Sequence, residues 1–300
     1  MYNGIINVYK EAGFTSHDVV AKLRGILKQK KIGHTGTLDP DAVGVLPVCL
    51  GSGTKLCDML ADKSKEYRAV MRLGLSTDTQ DISGKVLQER EVKAGPEEVR
   101  EAVLSFTGAY EQIPPMYSAI KVDGKKLYEL ARAGKEIERA ARTVQIHHIE
   151  IEELRLPQIT MLVGCSKGTY IRTLCHDIGE KLGCGGIMTS LIRTRAGAFY
   201  IEDSMTLGEI EHDVREGRLE EKIIPVEEMF PDYVKVTVEE VHRKLIDNGN
   251  AFYRHMWVEK SDFSSGQRVK VYNTQGRFYG IYEFQVKENR FKPVKIFMEK

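Results

Sequence analysis

The sequence predicts an α+β protein: a mixed sheet with helices scattered between its strands, followed by a small β-rich module. Three observations carry this expectation. Segments with strand character outnumber helical ones, and they do not alternate strictly with them as a doubly wound sheet requires. Hydrophobic residues make up 42% of the 300, which supports a real core and argues against a disordered chain. The stretch IPVEEMFPDY, starting at residue 224, breaks the pattern with two prolines. The roughly 70 residues beyond it suffice for a second module.

Taken in order, GIINVYK reads as a strand and TSHDVVAKLRGILKQK as a helix. Thr15 or Ser16 can cap that helix, and Val19, Val20, Leu23, Ile26 and Leu27 form its apolar stripe. A Gly-rich loop follows. GVLPVCL then reads as a buried strand, SGTKLCDML as a short helix, and KEYRAVMRLGL as β-rich. GPEEVREAVLSF is a helix with Pro96 near its first turn. SAIKV is a strand and GKKLYELARAGK a short basic helix. RTVQIHHIEIEEL and QITMLVGCS read as paired strands, and GTYIRTLCHDIGEKLG as a well-formed helix. Beyond the boundary come a helix, TVEEVHRKLIDNG, and the strands RVKVYN, FYGIYEF and PVKIFME.

Composition excludes several functions. No run of about 18 apolar residues is present, so no transmembrane helix is expected. The first residues lack the basic and apolar segments of a secretory signal. Five cysteines, an odd number without a C-x-x-C, argue against a disulfide framework or a structural zinc site. They predict buried thiols in a reducing cytoplasm. Net charge is only +1, yet residues 19–38 hold Lys22, Arg24, Lys28, Lys30 and Lys31 with no acid. A second basic-leaning tract covers residues 121–142, and acids gather at 202–221. Local basic patches bind phosphates even when totals cancel; a solvated helix face is the plainer alternative.

Chemistry is concentrated in KKIGHTGTLDPDAVGVLP. GHTGT matches neither common phosphate-binding glycine pattern. Pro40 biases Asp39 toward an extended backbone, and the small residues before it leave its carboxylate approachable. An ionised aspartate there can act as nucleophile or base, or simply close a turn. Metal ligation is poorly supported, since His34, Asp39, Asp41 and Cys49 lack a ligand spacing. His147 and His148, adjacent on a strand, are expected on opposite faces. No G-x-S-x-G elbow is present. In GTYIRTLCHDIGEKLG, Tyr170 and Arg172 open a helix, where an arginine can pair with a buried aspartate, meet a phosphate or sit at the surface. Tyr67 in KEYRAV is either core or a stacking platform.

Together these segments resemble the TruB family of bacterial tRNA pseudouridine-55 synthases. YKEAGFTSHDVV, GHTGTLDPDAVGVLP, KEYRA, QIPPMYSAIKVDGKKLYELAR, GTYIRTLCHDIGEKLG and LIRTRAGAF follow in the family's order over residues 4–200. One departure is Glu11, where the family often has proline after a lysine. The resemblance implies a mainly antiparallel catalytic domain over residues 1–228, with an RNA-gripping insertion at about 117–142. It also implies a PUA-like RNA-binding module over 233–300. Asp39 would be the catalytic aspartate and Arg172 its partner. Tyr67 would stack on the target base, Tyr170 and Leu191 would line the pocket, and His34 would help flip the nucleotide. Lys22, Lys30, Lys31, Lys121 and Arg132 would meet RNA. The implied partner is the T-stem loop of tRNA, with no cofactor, no metal and no membrane, and a monomer is expected. A non-catalytic RNA binder or tRNA-folding chaperone, or the same chemistry on another RNA, would use a similar surface.

Overall fold

The structure is a computed structural model that describes residues 1–122, 124–259 and 262–298. Residue 123, in the expected insertion, lies outside the described residues. The chain opens with β1 (Gly4–Lys10) and α1 (Ser16–Leu27). Thr15 is the cap: its hydroxyl accepts from the Asp18 N–H, and the Asp18 carboxylate accepts from the Thr15 N–H at 2.8 Å. That leaves Ser16 free for another task, described below. β2 (Ile32–His34) and β3 (Val43–Leu50) follow. The helix expected over SGTKLCDML is a 3-10 stretch, Gly51–Leu56, and then one turn of α-helix, α2 (Cys57–Ala61). Two glycines lower the helix propensity of its first half.

Next come β4 (Lys65–Leu73), β5 (Leu75–Thr77), β6 (Val86–Glu89), α3 (Pro96–Leu104), β7 (Gly108–Gln112), β8 (Lys121–Val122), β9 (Lys125–Lys126) and α4 (Leu127–Arg132). SAIKV was expected to be a strand, but only its last two residues pair. Its start is drawn into a loop, where the Tyr117 and Ser118 carbonyls accept from Arg172 and from the Tyr128 N–H. The first sheet is completed around β10 (Arg142–Arg155), β11 (Gln158–Cys165), α5 (Ile171–Lys181), β12 (Gly186–Ala196), β13 (Phe199–Tyr200) and α6 (Leu207–Arg215). Strand order is β1-β3-β12-β4-β11-β10-β7, with β2 on β3 and β13 on β12.

Among the paired strands of this sheet in the described residues, the short β3–β12 contact is parallel and the others antiparallel, and it sets Gly44 beside Arg193. Gly44 has φ +103°, and a Cβ there would fall 2.3 Å from the Arg193 carbonyl oxygen. The exit of the Asp39 loop therefore seats directly on the strand that carries Leu191. His147 and His148 do not split between the faces as expected. A bulge between Ile146 and His148 leaves both exposed, and His148 lies over Gly164, where a Cβ would come within 2.2 Å of its ring. Among the described residues, no group of three His, Cys, Asp or Glu could hold a metal ion, and no helix is long and apolar enough to cross a membrane. Four cysteines are buried as expected; Cys57, at the start of α2, is only half-buried.

The second sheet holds β14 (Val234–Val238), α7 (Arg243–Asp247), β15 (Phe252–Tyr253), β16 (Arg268–Asn273), β17 (Phe278–Gln285) and β18 (Arg290–Ile296), in the order β14-β16-β17-β18-β15. The helix expected over TVEEVHRKLIDNG shrinks to α7 after a 3-10 turn. Thr237 and Val238 belong to β14, because Val236 and Val238 are fully buried against an aromatic core that includes Trp257, Phe252 and Phe291.

The two sheets share a core. On β1 and β3, Ile6, Val8, Leu46, Val48 and Leu50 face α1 and α6, whereas Ile5, Val45 and Cys49 face the other way, onto Phe230, Ile281 and Phe297. Both faces are covered, which is why GVLPVCL reads as an unbroken apolar run. The Lys55 ammonium also donates to the Ile296 carbonyl at 2.5 Å. A chain cut after Asp232 would leave Val226 and Phe230 bare, so truncation is a poor probe of the module's role. Phe230→Ala is expected to cost about 3–4 kcal/mol, with both sheets lost in a single urea transition. Two separable transitions would show that they fold independently.

Candidate active site

The Asp39 loop is tied at nearly every peptide group. The Leu38 N–H donates to Ser16 Oγ at 2.9 Å, the Ala42 N–H to the Asp39 carbonyl at 3.1 Å, and the Thr35 N–H to the Pro47 carbonyl at 3.1 Å. The Pro40 carbonyl accepts from the Gly13 N–H at 3.0 Å and from Lys10 Nζ at 2.8 Å. Lys10 is fully buried, as is Arg193, whose Nε donates to the Val45 carbonyl at 2.6 Å. Buried cations thus hold the loop by its carbonyl oxygens.

Arg172, in the first turn of α5, organises the centre. Its Nε lies 3.0 Å from Asp39 Oδ2 and its Nη2 3.3 Å from Oδ1, a bidentate pair. Nη2 also donates to the Tyr117 carbonyl at 2.8 Å, while Nη1 donates to the Thr79 carbonyl at 3.1 Å and to Asp81 Oδ2 at 3.5 Å. A guanidinium has five N–H donors; here the four on Nη1 and Nη2 have hydrogen-bond acceptors, and Nε makes an ion pair with Asp39 Oδ2. Its side chain is 5% exposed, against 41% for Asp39: the cation is sealed and the carboxylate stays reachable. Burial pushes the Asp39 carboxyl above its usual range; Arg172 opposes the rise, Asp81 adds to it and Lys10 opposes it.

The other expected residues surround this pair unevenly. Tyr67 and Leu191 are buried in the same apolar cluster as Leu38 and Ile171. Arg193 is the register partner of Tyr67 across β12 and β4. Burial pushes the Tyr67 phenol up. Tyr170 caps α5 through its backbone alone and is partly exposed. His34 ends β2; burial pulls its imidazole down, and Nδ1 accepts from the Gly36 N–H at 3.3 Å, which leaves the neutral ring's proton on Nε2. Lys30 and Lys31 are exposed before β2. Lys22 stands apart, its ammonium 4.9 Å from the Phe14 ring in a cleft between α1 and α6 that also holds Glu11 and Glu211. Lys121 and Arg132 are exposed on the insertion, Arg132 lying 5.4 Å over the Tyr128 ring.

Comparison with known proteins supplies the family. Residues 24–171 match the TruB family pseudouridylate synthase N-terminal domain, and residues 172–231 match the tRNA pseudouridylate synthase B C-terminal domain. The tRNA pseudouridine synthase B of Lachnoclostridium phytofermentans is 55% identical, with 99% of this chain and all of that protein covered. That of Alkaliphilus oremlandii is 48% identical over 98% of this chain and 97% of its own.

The chain belongs to the TruB family. The solved structure of an H/ACA RNP bound to a substrate RNA containing 2'-deoxyuridine is similar over 99% of this chain and 85% of that one, at 25% identity and a TM-score of 0.71. A Cbf5-Nop10-Gar1 complex is similar at 28% identity and a TM-score of 0.70, over 98% and 85%. The border between the two TruB family models falls at Arg172 itself, so the Asp39–Arg172 pair joins both matched regions. Asp81, Arg193 and Gln112 went unnoticed in the sequence, and Lys10 figured only as the lysine before Glu11. Only Lys10 carried a local signal, as a lysine ending a buried strand.

Two measurements check this geometry. In Arg172→Lys the point charge cannot occupy both Asp39 oxygens and the loop carbonyls together. The single-turnover rate is expected to fall on the order of 10²-fold; a near-normal rate would reject the bidentate pairing. Burial also lowers the Lys10 ammonium from 10.5 to about 8, with Asp41 and Asp39 opposing. Between those values the unfolded chain binds more protons, so the cost of burying the charge, full below about pH 8, is relieved as pH rises toward 10.5. The stability of the native protein relative to Lys10→Met should therefore increase from pH 7.5 to pH 10 in urea titrations. A pH-independent difference would show that Lys10 titrates alike in both states.

Proposed function

We propose that this protein converts a uridine of tRNA, position 55 in the T loop, to pseudouridine, with Asp39 acting directly on the flipped nucleotide. The observation that carries the reading is the Asp39–Arg172 pair, with its cation sealed and its carboxylate open. The isomerisation breaks the bond from N1 to C1′ and forms one from C5 to C1′, and a proton leaves C5 as one is gained at N1. It is internally balanced and calls for a carboxylate near the glycosidic carbon, a dry pocket and a proton acceptor. Arg172 favours the anionic form of Asp39 against desolvation. Tyr67 and Leu191 supply an apolar face for the base, Tyr170 a side wall, and His34 a neutral donor at the loop mouth. A loop nucleotide costs least to extrude. Lys30, Lys31, Lys121 and Arg132 would meet backbone phosphate, and the second sheet would add a PUA-like RNA surface.

Asp39→Asn keeps the shape of the side chain and removes its charge. Pseudouridine formation on tRNA, mapped by position, should be abolished, while affinity for tRNA at fixed salt stays within a few-fold. Substantial turnover by this variant would sink the assignment of Asp39. If the unaltered protein binds tRNA and leaves it unmodified, the chain is an RNA binder or chaperone instead.

A further inference from the structure

Gln112 is the last residue of β7 and is fully buried. It is paired with Arg142, the first residue of β10, so it stands at the root of the insertion. Its side-chain oxygen accepts from the Tyr170 N–H at 2.8 Å, and its side-chain nitrogen donates to the Tyr170 carbonyl at 3.0 Å. One amide thus grips both backbone groups of a residue 58 positions away in the chain.

Tyr170 precedes α5 and offers no side-chain cap. Its carbonyl also accepts the Leu174 N–H at 3.1 Å, the bond that starts the helix. Arg172 sits two residues on, in that first turn. A second tie comes from the same strand face, where the Tyr110 hydroxyl donates to Asp177 further along α5. Beyond Gln112 the chain turns back, and the Tyr117 carbonyl accepts from Arg172 Nη2 at 2.8 Å. Residues 112–117 therefore hold Arg172 from two sides, through its helix and through its guanidinium.

We propose that Gln112 is a positioning residue, whose buried amide fixes the backbone of Tyr170 and so the placement of Arg172 against Asp39. The inference rests on the reading that the Asp39–Arg172 pair performs the chemistry. A residue that only filled space here could be replaced by methionine, which has similar length and no polar atoms to pair. A glutamate is a sharper probe. When ionised it accepts from the Tyr170 N–H but sets a second anionic oxygen against the Tyr170 carbonyl. When protonated it regains one donor and one acceptor, the pattern of the amide. A carboxyl has an ordinary value of about 4.3, and burial raises it.

The experiment measures single-turnover pseudouridine formation and tRNA Kd for the full chain and for Gln112→Met and Gln112→Glu. Gln112→Met is expected to lower the rate at least tenfold with Kd within twofold. The rate of Gln112→Glu relative to the unaltered protein is expected to rise several-fold between pH 8 and pH 6. A Gln112→Met rate within twofold of normal, or a Gln112→Glu ratio that does not change with pH, would overturn the proposal. If Gln112→Met does not fold, the Gln112→Glu ratio decides alone. An inactive unaltered protein would instead defeat the functional reading, and is seen in the same assay.

Discussion

The buried guanidinium of Arg172 is the constraint on which the rest of the site depends. A buried donor left without an acceptor costs about 1–3 kcal/mol, and this cation has five donors to satisfy in a space closed to water. One is met by Asp39 Oδ1, whose other oxygen pairs with Nε, and three by Tyr117, Thr79 and Asp81. Those acceptors come from three loops far apart in the chain. Moving any of them leaves a donor bare, so each loop is held by the same cation. The carboxylate is oriented as a consequence, and an oriented carboxylate needs no rearrangement when a nucleotide arrives.

The neighbouring cations extend the same logic from side chain to backbone. Lys10, Lys65 and Arg193 are all buried, and all donate to carbonyl oxygens: Pro40 and Glu11, Ala61 and Lys63, Val45 and Gly36. A carbonyl only partly offsets the loss of water around a charge, which is why Lys10 and Lys65 both fall to about 8. The fold accepts that cost in the segments flanking Asp39 and Tyr67. Apart from Val45 in β3 and Ala61 at the end of α2, these carbonyls lie between the named strands and helices, where little else fixes the chain.

Local chemistry made candidates legible, and the resemblance to the TruB family joined them. An aspartate before proline, after a run of small residues, left Asp39 open between turn and reactive group, and an arginine opening an amphipathic helix left Arg172 open between aspartate partner, phosphate ligand and surface residue. Asp81 and Gln112 could not be found this way. An aspartate in a polar turn and a glutamine at a strand end are ordinary residues there, and their roles lie in contacts 91 and 58 positions away. Strand alternation failed at His147 and His148 because one extra residue in a bulge reverses the face. Val236 and Val238 show the other limit. Their β-branched side chains met an aromatic core that no local pattern in TVEEVHRKLIDNG announced.

The segment around Tyr117 links the surroundings of Arg172 to an exposed basic stretch. Residues 114–116 and Ser118 are buried, whereas Ala119 and Lys121 are exposed. The buried part carries the Tyr117 carbonyl that Arg172 requires, and the exposed part carries the basic residues and Tyr128. A movement of the insertion that pivots before Ser118 would pull the Tyr117 carbonyl from Arg172 and unseat the pair. A movement that pivots beyond it leaves every donor of Arg172 satisfied. On the proposed reading, a pivot beyond Ser118 would let the exposed segment meet RNA without disturbing the Asp39 carboxylate.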